Sequence, residues 1–189
     1  IKDGNLELGF ESRIQKSFNS IVTNQEVETG GNSPTMPRGN TTFHYDREIH
    51  SAYINYTTEL DEIGLQAGLR FEDFSVEGWF SNTQQTNIEP YSDDITSIYP
   101  SAFLTYSLSE TDELQVGYSR RVDRPEVAQV TPIQEWTSPL TISVGNRTLR
   151  PQFTNSLEVN YTNILKKGNI TFGAFYRKTS DKIDRIINK

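Results

Sequence analysis

The sequence predicts an all-β chain: an antiparallel meander forming part of a large transmembrane β-barrel, with long loops at one end and tight turns at the other. Three observations carry this. Several stretches alternate apolar and polar residues with period two, the pattern of a strand with one greasy face and one polar face. The connections between these stretches are alternately very short and very long. No apolar run approaches the roughly 18 residues that a spanning helix needs, so a crossing of lipid must be made by strands.

Seven strands follow from the alternation. The first is read from Gly4 to Ile14, with Leu6, Leu8 and Phe10 on one face. The second, Arg47 to Leu60, sets Ala52, Ile54 and Tyr56 against Tyr53 and Asn55, and ends in a tight turn at Asp61-Glu62. The third, Ile63 to Val76, has the clearest pattern: Ile63, Leu65, Ala67, Leu69 and Phe71 oppose Gln66, Gly68, Arg70 and Glu72. The fourth, Ile98 to Leu108, aligns Ala102, Leu104 and Tyr106, and leads into the polar turn Ser109 to Asp112. The fifth, Glu113 to Val122, aligns Leu114, Val116 and Tyr118. The sixth, Thr154 to Ile164, opposes Leu157, Val159 and Tyr161 to Ser156, Glu158 and Asn160. A turn at Lys166 to Asn169 follows, with Gly168 free to take positive φ, and the seventh strand runs from Asn169 to Lys178. Three long segments remain as loops: Gln15 to Asp46, Glu77 to Ser97 and Asp123 to Phe153. Compact soluble domains rarely carry such loops on one side, whereas transmembrane barrels do so routinely.

Composition agrees. Hydrophobic residues make up 34% of the 189, which is low for a globular core, yet a barrel wall needs only alternate residues to be apolar. The net charge of -7 and dispersed basic residues argue against nucleic acid. There are no cysteines, and His44 and His50 alone do not make a zinc site, so no metal, cofactor or catalytic set is expected. No Gly-rich phosphate loop or nucleophile constellation is present, and the chain does not read as an enzyme. No signal peptide is visible. Bacterial barrels close on an even strand count, and an open edge in lipid leaves backbone groups unpaired. Residues 1–189 are therefore expected to be a segment of one barrel domain in the cell outer membrane, with plug and remaining strands outside the chain.

Two segments carry a family resemblance. Tyr118-Ser-Arg-Arg-Val-Asp-Arg-Pro125 is followed by Val144-Gly-Asn-Arg-Thr-Leu-Arg-Pro-Gln152 and by Thr154-Asn-Ser-Leu-Glu158. This resembles the barrel of TonB-dependent receptors, and within them the Bacteroidetes-type outer-membrane barrel family. There an Arg-Pro strand exit leads to a loop closing on Gly-Asn-Pro-x-Leu-Lys-Pro-Glu. Ala67 to Glu72 and Tyr99 to Leu104 resemble the preceding hairpins. The sequence departs at Arg147, where the family has proline, and at Gln152, where it has glutamate. The resemblance implies a barrel of about 22 strands, a plug domain filling it, a periplasmic energy-coupling protein as partner, and lipid and lipopolysaccharide around it. It implies energy-coupled uptake of a scarce nutrient: a metal chelate, glycan or peptide. Two alternatives stay open: a non-transporting surface protein or adhesin, and a soluble β-sandwich that binds carbohydrate.

Candidate site residues fall into two groups. Arg70, Glu72, Glu158, Asn160 and Arg177 lie opposite the apolar faces and are expected to line the lumen, either along a substrate path or as a self-satisfying ladder. Trp79 and Trp136 are expected in long loops, and Arg121 and Arg124 border the loop of Trp136. Each of these four can contact a ligand or brace its own loop. Arg120 continues the lipid-facing set, so it belongs either at the outer rim or at a bulge that turns it inward. Tyr56, Tyr106, Tyr118, Tyr161 and Tyr176 are candidates for interfacial aromatic girdles.

Overall fold

A computed structural model of the chain describes residues 4–23, 39–81, 90–133, 135–138 and 141–187. Its strands are β1 (Asn5–Thr23), β2 (Gly39–Leu60), β3 (Ile63–Ser81), β4 (Tyr91–Ser107), β5 (Asp112–Asp123), β6 (Glu135–Ser138), β7 (Thr141–Ser143), β8 (Gln152–Leu165) and β9 (Gly168–Ser180), with one short helix, α1 (Val127–Val130). Seven strands form a single antiparallel meander in the order β1-β2-β3-β4-β5-β8-β9, while β6 and β7 make a separate small hairpin. The tight turns after β2, β4 and β8 share one end of the sheet, and the segments after β1, β3 and β5 share the other. No second sheet packs on the meander among the described residues.

The register shows why residues of these types alternate. Cross-strand partners share a face, so the rows can be read across the sheet. Leu60, Ile63, Tyr106, Leu114, Tyr161 and Phe172 form the row nearest the turns. Leu6, Tyr56, Ala67, Ala102, Tyr118, Leu157 and Tyr176 form a row further up. Phe10, Ala52, Phe71 and Ile98 form the last apolar row, after which Ser12, His50, Asp73 and Thr96 follow. This belt takes about nine residues of each of β2, β3 and β4, within the 9–11 that a tilted strand needs to cross a bilayer. Its side chains are exposed, Leu69 at 46%, Phe71 at 49% and Phe172 at 67%, whereas Glu72 on the opposite face is 2% exposed. Apolar outside and polar inside is the arrangement of a protein solvated by lipid.

Above the belt the phase of hydrophobicity reverses while the strands continue. Leu65, Ala67, Leu69 and Phe71 face out, but Phe74, Val76 and Phe80 face in. On β2, Ala52, Ile54 and Tyr56 face out, but Phe43, Tyr45 and Ile49 face in. The pairing of β1 with β2, β2 with β3 and β3 with β4 runs through this point without a shift. The expected loops Gln15 to Asp46 and Glu77 to Ser97 are thus corrected. Much of each is strand. On β2, β3 and β4 the greasy side turns to the protein interior outside lipid, and the flip hides the strand from a period-two reading; on β1 there is no flip, since Ile14 and Phe18 stay exposed on the outer face.

Two further expectations are corrected, and the register locates the tyrosines and Arg120. Trp79 lies in β3 rather than in a loop, on the outer face, with its ring stacked on His44 at 5.0 Å. Gly168 does not take positive φ, and a Cβ there would meet open space; the positive φ at a turn belongs to Asp61 (φ 49), whose short side chain tolerates it. Tyr106 and Tyr161 sit at the turn-side edge of the belt, and Tyr118 and Tyr176 below the polar row of Arg120, Asn155 and Lys178, but Tyr56 is in mid-belt on β2. No bulge turns Arg120, since β5 and β8 stay in register through it. Its guanidinium instead lies over the Phe153 ring at 4.9 Å, and that ring stacks on Tyr99, which gives the charge a polarisable partner.

The β4–β5 turn is organised by one carboxylate. Asp112 accepts hydrogen bonds from Ser109 Oγ (2.6 Å), Tyr161 Oη (2.6 Å), Asn163 Nδ2 (2.6 Å) and Thr111 Oγ1 (3.1 Å). Donation by Ser109, then by Tyr161 and Asn163, holds its pKa below the usual carboxylate range. A depressed folded pKa contributes stability above the ordinary value of about 4, lost as pH falls through the folded value. The amide signals of Leu108 and Ser109, which donate to the Asp112 carbonyl, are expected to stay unchanged through pH 4 and to move only at lower pH. A titration midpoint near 4 would contradict this.

Candidate functional site

The inner face is built by alternation. Rows of cross-strand partners run Gly9–Tyr53–Arg70–Tyr99, then Glu11–Ser51–Glu72–Ser97, then Arg13–Ile49–Phe74–Ile95, then Gln15–Arg47–Val76–Asp93. At the centre is Glu72. Its carboxylate takes Arg70 Nη2 at 3.0 Å, a weak donation from Tyr99 Oη at 3.4 Å, and contact with Arg124 Nη2. Arg70 also reaches Glu11 at 3.2 Å, and Glu11 pairs with Arg13 at 2.5 Å. Arg47 donates to Gln15. A buried carboxylate is stable only when paired and hydrogen-bonded, and Glu72 is both.

Arg124 comes from outside the sheet. It follows β5 and carries the start of the segment 124–151 back over the inner face, its guanidinium 5.3 Å from the Phe74 ring centroid. Burial, with Arg47, Arg70 and Arg13 nearby, pulls its pKa down to about 10, so it stays charged at neutral pH. Behind it Pro125 is buried, and Val127, Val130, Ile133 and Leu149 pack on the cluster of Phe43, Tyr45, Ile49, Phe74 and Val76. The core of this chain is therefore not within a layer of the sheet but between its upper inner face and this returning segment.

The Gly145-Asn146 signature has a structural reason. Gly145 N–H donates to Thr131 C=O at 2.9 Å, and Asn146 N–H to Gln129 C=O at 2.7 Å, tying the segment's exit to the end of α1. A Cβ on Gly145 would lie 2.5 Å from Thr131 O and 2.7 Å from Gln129 O. Asn146 Oδ1 accepts from Thr148 N–H and Oγ1, folding a turn that ends with Leu149 in the core. Arg147 occupies the turn position where proline is favoured but not required. Gln152 pairs with Asp123 in register, donates to its carboxylate at 3.2 Å and accepts from Ile183 N–H at 3.0 Å. A glutamate there would set two carboxylates together, so glutamine suits this chain. Gly145→Ala is expected to cost about 1–3 kcal/mol through overpacking against backbone. It should raise proteolysis within 124–151; an unchanged cleavage rate would contradict the packing.

The sequence-predicted residues separate. Arg70, Glu72 and Arg124 converge. Arg121 shares the row of Thr154 and is exposed, without an ion pair among the described residues. Glu158 and Arg177 pair at 3.3 Å on the same face, with Asn160 two residues along, against Gly173. Trp79 is on the opposite face. Trp136 has its backbone in β6, paired with Ile142; its side chain lies outside the described residues. The sequence reading missed Glu11, Arg13, Arg47 and Ser51. Their i, i+2 spacing with polar neighbours was visible, but which strands meet depends on register.

A family model described as the outer membrane protein beta-barrel family matches residues 1–189. A search of curated protein sequences finds no match. Among solved structures, the chain is similar to a double mutant of the Serratia marcescens hemophore receptor HasR in complex with its hemophore HasA and heme. The identity is 14% and the TM-score 0.56, covering 93% of this chain and 34% of that one. It is also similar to the alcaligin outer membrane receptor FauA from Bordetella pertussis, at 14% identity and a TM-score of 0.49, covering 93% of this chain and 30% of that one. The chain thus spans about a third of the solved structures it matches.

Proposed function

This chain belongs to the outer membrane protein beta-barrel family, and from that premise we propose that it is a wall segment of a larger barrel that takes up a scarce nutrient with energy supplied from the periplasmic side. The carrying observation is that residues 124–133 and 145–149 fold back onto a charged inner face. A lumen that is lined by charge and partly covered by its own loop suits selective passage better than adhesion. On this reading residues 1–189 belong to one barrel domain, whose other strands pair with the free edges of β1 and β9. Arg70, Glu72, Glu158, Asn160 and Arg177 line the lumen, a plug domain faces them, and a periplasmic energy-coupling protein acts on that plug. The Arg124-Pro125 and Gly145-Asn146 segments support a Bacteroidetes-type receptor barrel. Trp136, Arg121 and Arg124 are our candidates for ligand contact; Trp79, on the outer face, is better suited to lipopolysaccharide.

The test is made on cells. Deleting the parent gene should abolish growth on a nutrient too large or too rare for open porins, and dissipating the membrane energy supply should have the same effect on uptake. Growth unchanged by either would favour the adhesin or structural reading.

A further inference from the structure

We propose that the inner face beneath the segment 124–151 holds a binding site for an anionic group, a carboxylate or phosphate on the imported molecule, formed by Arg13, Arg47, Arg70, Arg124 and Ser51. That the occupant is cargo rests on the import reading; the site itself rests on the geometry.

The first argument is charge. Across the rows that surround Glu72, the four arginines face Glu11, Glu72 and Asp93. Asp93 is two strands from Arg47 in its row and forms no ion pair among the described residues, so it does little to neutralise the cluster. Glu11 and Glu72 are already used, the one by Arg13 and Arg70, the other by Arg70, Arg124 and Tyr99. Among the described residues the side-chain partners of Arg47 are the neutral Gln15 and Tyr45. Arg13 is exposed, but at Arg47 and Arg124 positive charge is left over where water is partly excluded, and this costs free energy unless an anion joins it.

The second argument is unpaired donors. Arg70 Nε, Arg124 Nε and Ser51 Oγ are buried without a hydrogen-bond partner among the described residues, and Ser51 is 2% exposed, between Glu11 and Glu72 in its row. Buried donors are nearly always satisfied, so a set of them in one place calls for an acceptor. Arginine forks match carboxylate and phosphate oxygens better than any neutral acceptor. The Arg124 pKa is depressed first by burial and then by the nearby Arg47, Arg70 and Arg13, and a bound anion would offset both.

The experiment uses the intact parent protein in detergent micelles, with radiolabelled inorganic phosphate as the probe and chloride of equal ionic strength as competitor. Saturable phosphate binding is expected, weakened at least tenfold by Arg47→Gln and measurably by Ser51→Ala, with Arg47→Lys restoring part of it. Arg47 does not anchor the segment 124–151, so its variant keeps the fold; an unchanged thermal melting point verifies this. Phosphate that binds no better than chloride, or equally well to wild type and Arg47→Gln, overturns the site. Binding that survives while uptake proves independent of membrane energy keeps the site and removes the import reading. Energy-dependent uptake without phosphate binding removes the site alone.

Discussion

Glu72→Ala is expected to destabilise the barrel by about 3–5 kcal/mol, the cost of breaking a buried ion pair and leaving its partner charge unmatched. Glu72 is 2% exposed and is the junction of Arg70 on its own strand, Tyr99 on β4 and Arg124 from the returning segment. Removing it leaves Arg124, which is only 16% exposed, beside Arg70 with nothing between them. The result divides into two readouts. Denaturant unfolding of the parent protein in detergent should shift to lower concentration. Cleavage by trypsin at Arg147 should accelerate as the segment 124–151 loses its charged anchor and keeps only its apolar one. A variant as stable and as protease-resistant as the wild type would mean that Arg124 is held by Phe74 and the apolar cluster alone.

A charge placed in the outer belt should have an effect that depends on its height. Leu69→Arg, one row from the centre of the belt on β3, should cost about 2–4 kcal/mol, whereas Asp73→Arg, just beyond the last apolar row, should cost about 0–1 kcal/mol. Both side chains are exposed and both face outward, so neither substitution disturbs a protein contact on the inner face. Only the solvent differs between them: hydrocarbon at Leu69, head groups or water at Asp73. Folding yields into lipid vesicles would measure this difference on one strand, four residues apart. Equal effects at the two positions would mean that the exposed apolar belt does not meet lipid.

The candidate site was legible in part. Arg70 and Glu72 were visible as neighbours on one face, because side chains at i and i+2 of a strand always share a face. The role of Arg124 was not. It lies after the end of β5, and nothing local says that a chain leaving the sheet will return over β2 and β3. Glu11 and Arg13 were equally hidden, since their meeting with Arg70 depends on three strands in one register. The Gly-Asn signature was noticed as a resemblance, but its reason, a glycine pressed against the backbone at the end of α1, is a tertiary contact.

Within the membrane belt, sequence alone determined the structure: the strands at Ile63 to Phe71, Ala102 to Tyr106 and Leu157 to Ile164, their outward faces and the tight turns between them. The reason is that lipid imposes one rule on every strand, apolar out and polar in, and the rule is written locally as strict alternation. Above the belt only the tertiary structure decided. There β2 to β4 leave the lipid, and which face must be apolar is set by whatever covers the sheet, here Val127, Val130, Ile133 and Leu149 of the returning segment. The alternation therefore changes phase between Phe71 and Phe74 while the backbone runs straight on. A sequence read by its period sees that change as the end of a strand. Coordinates show it to be the place where the protein's solvent changes.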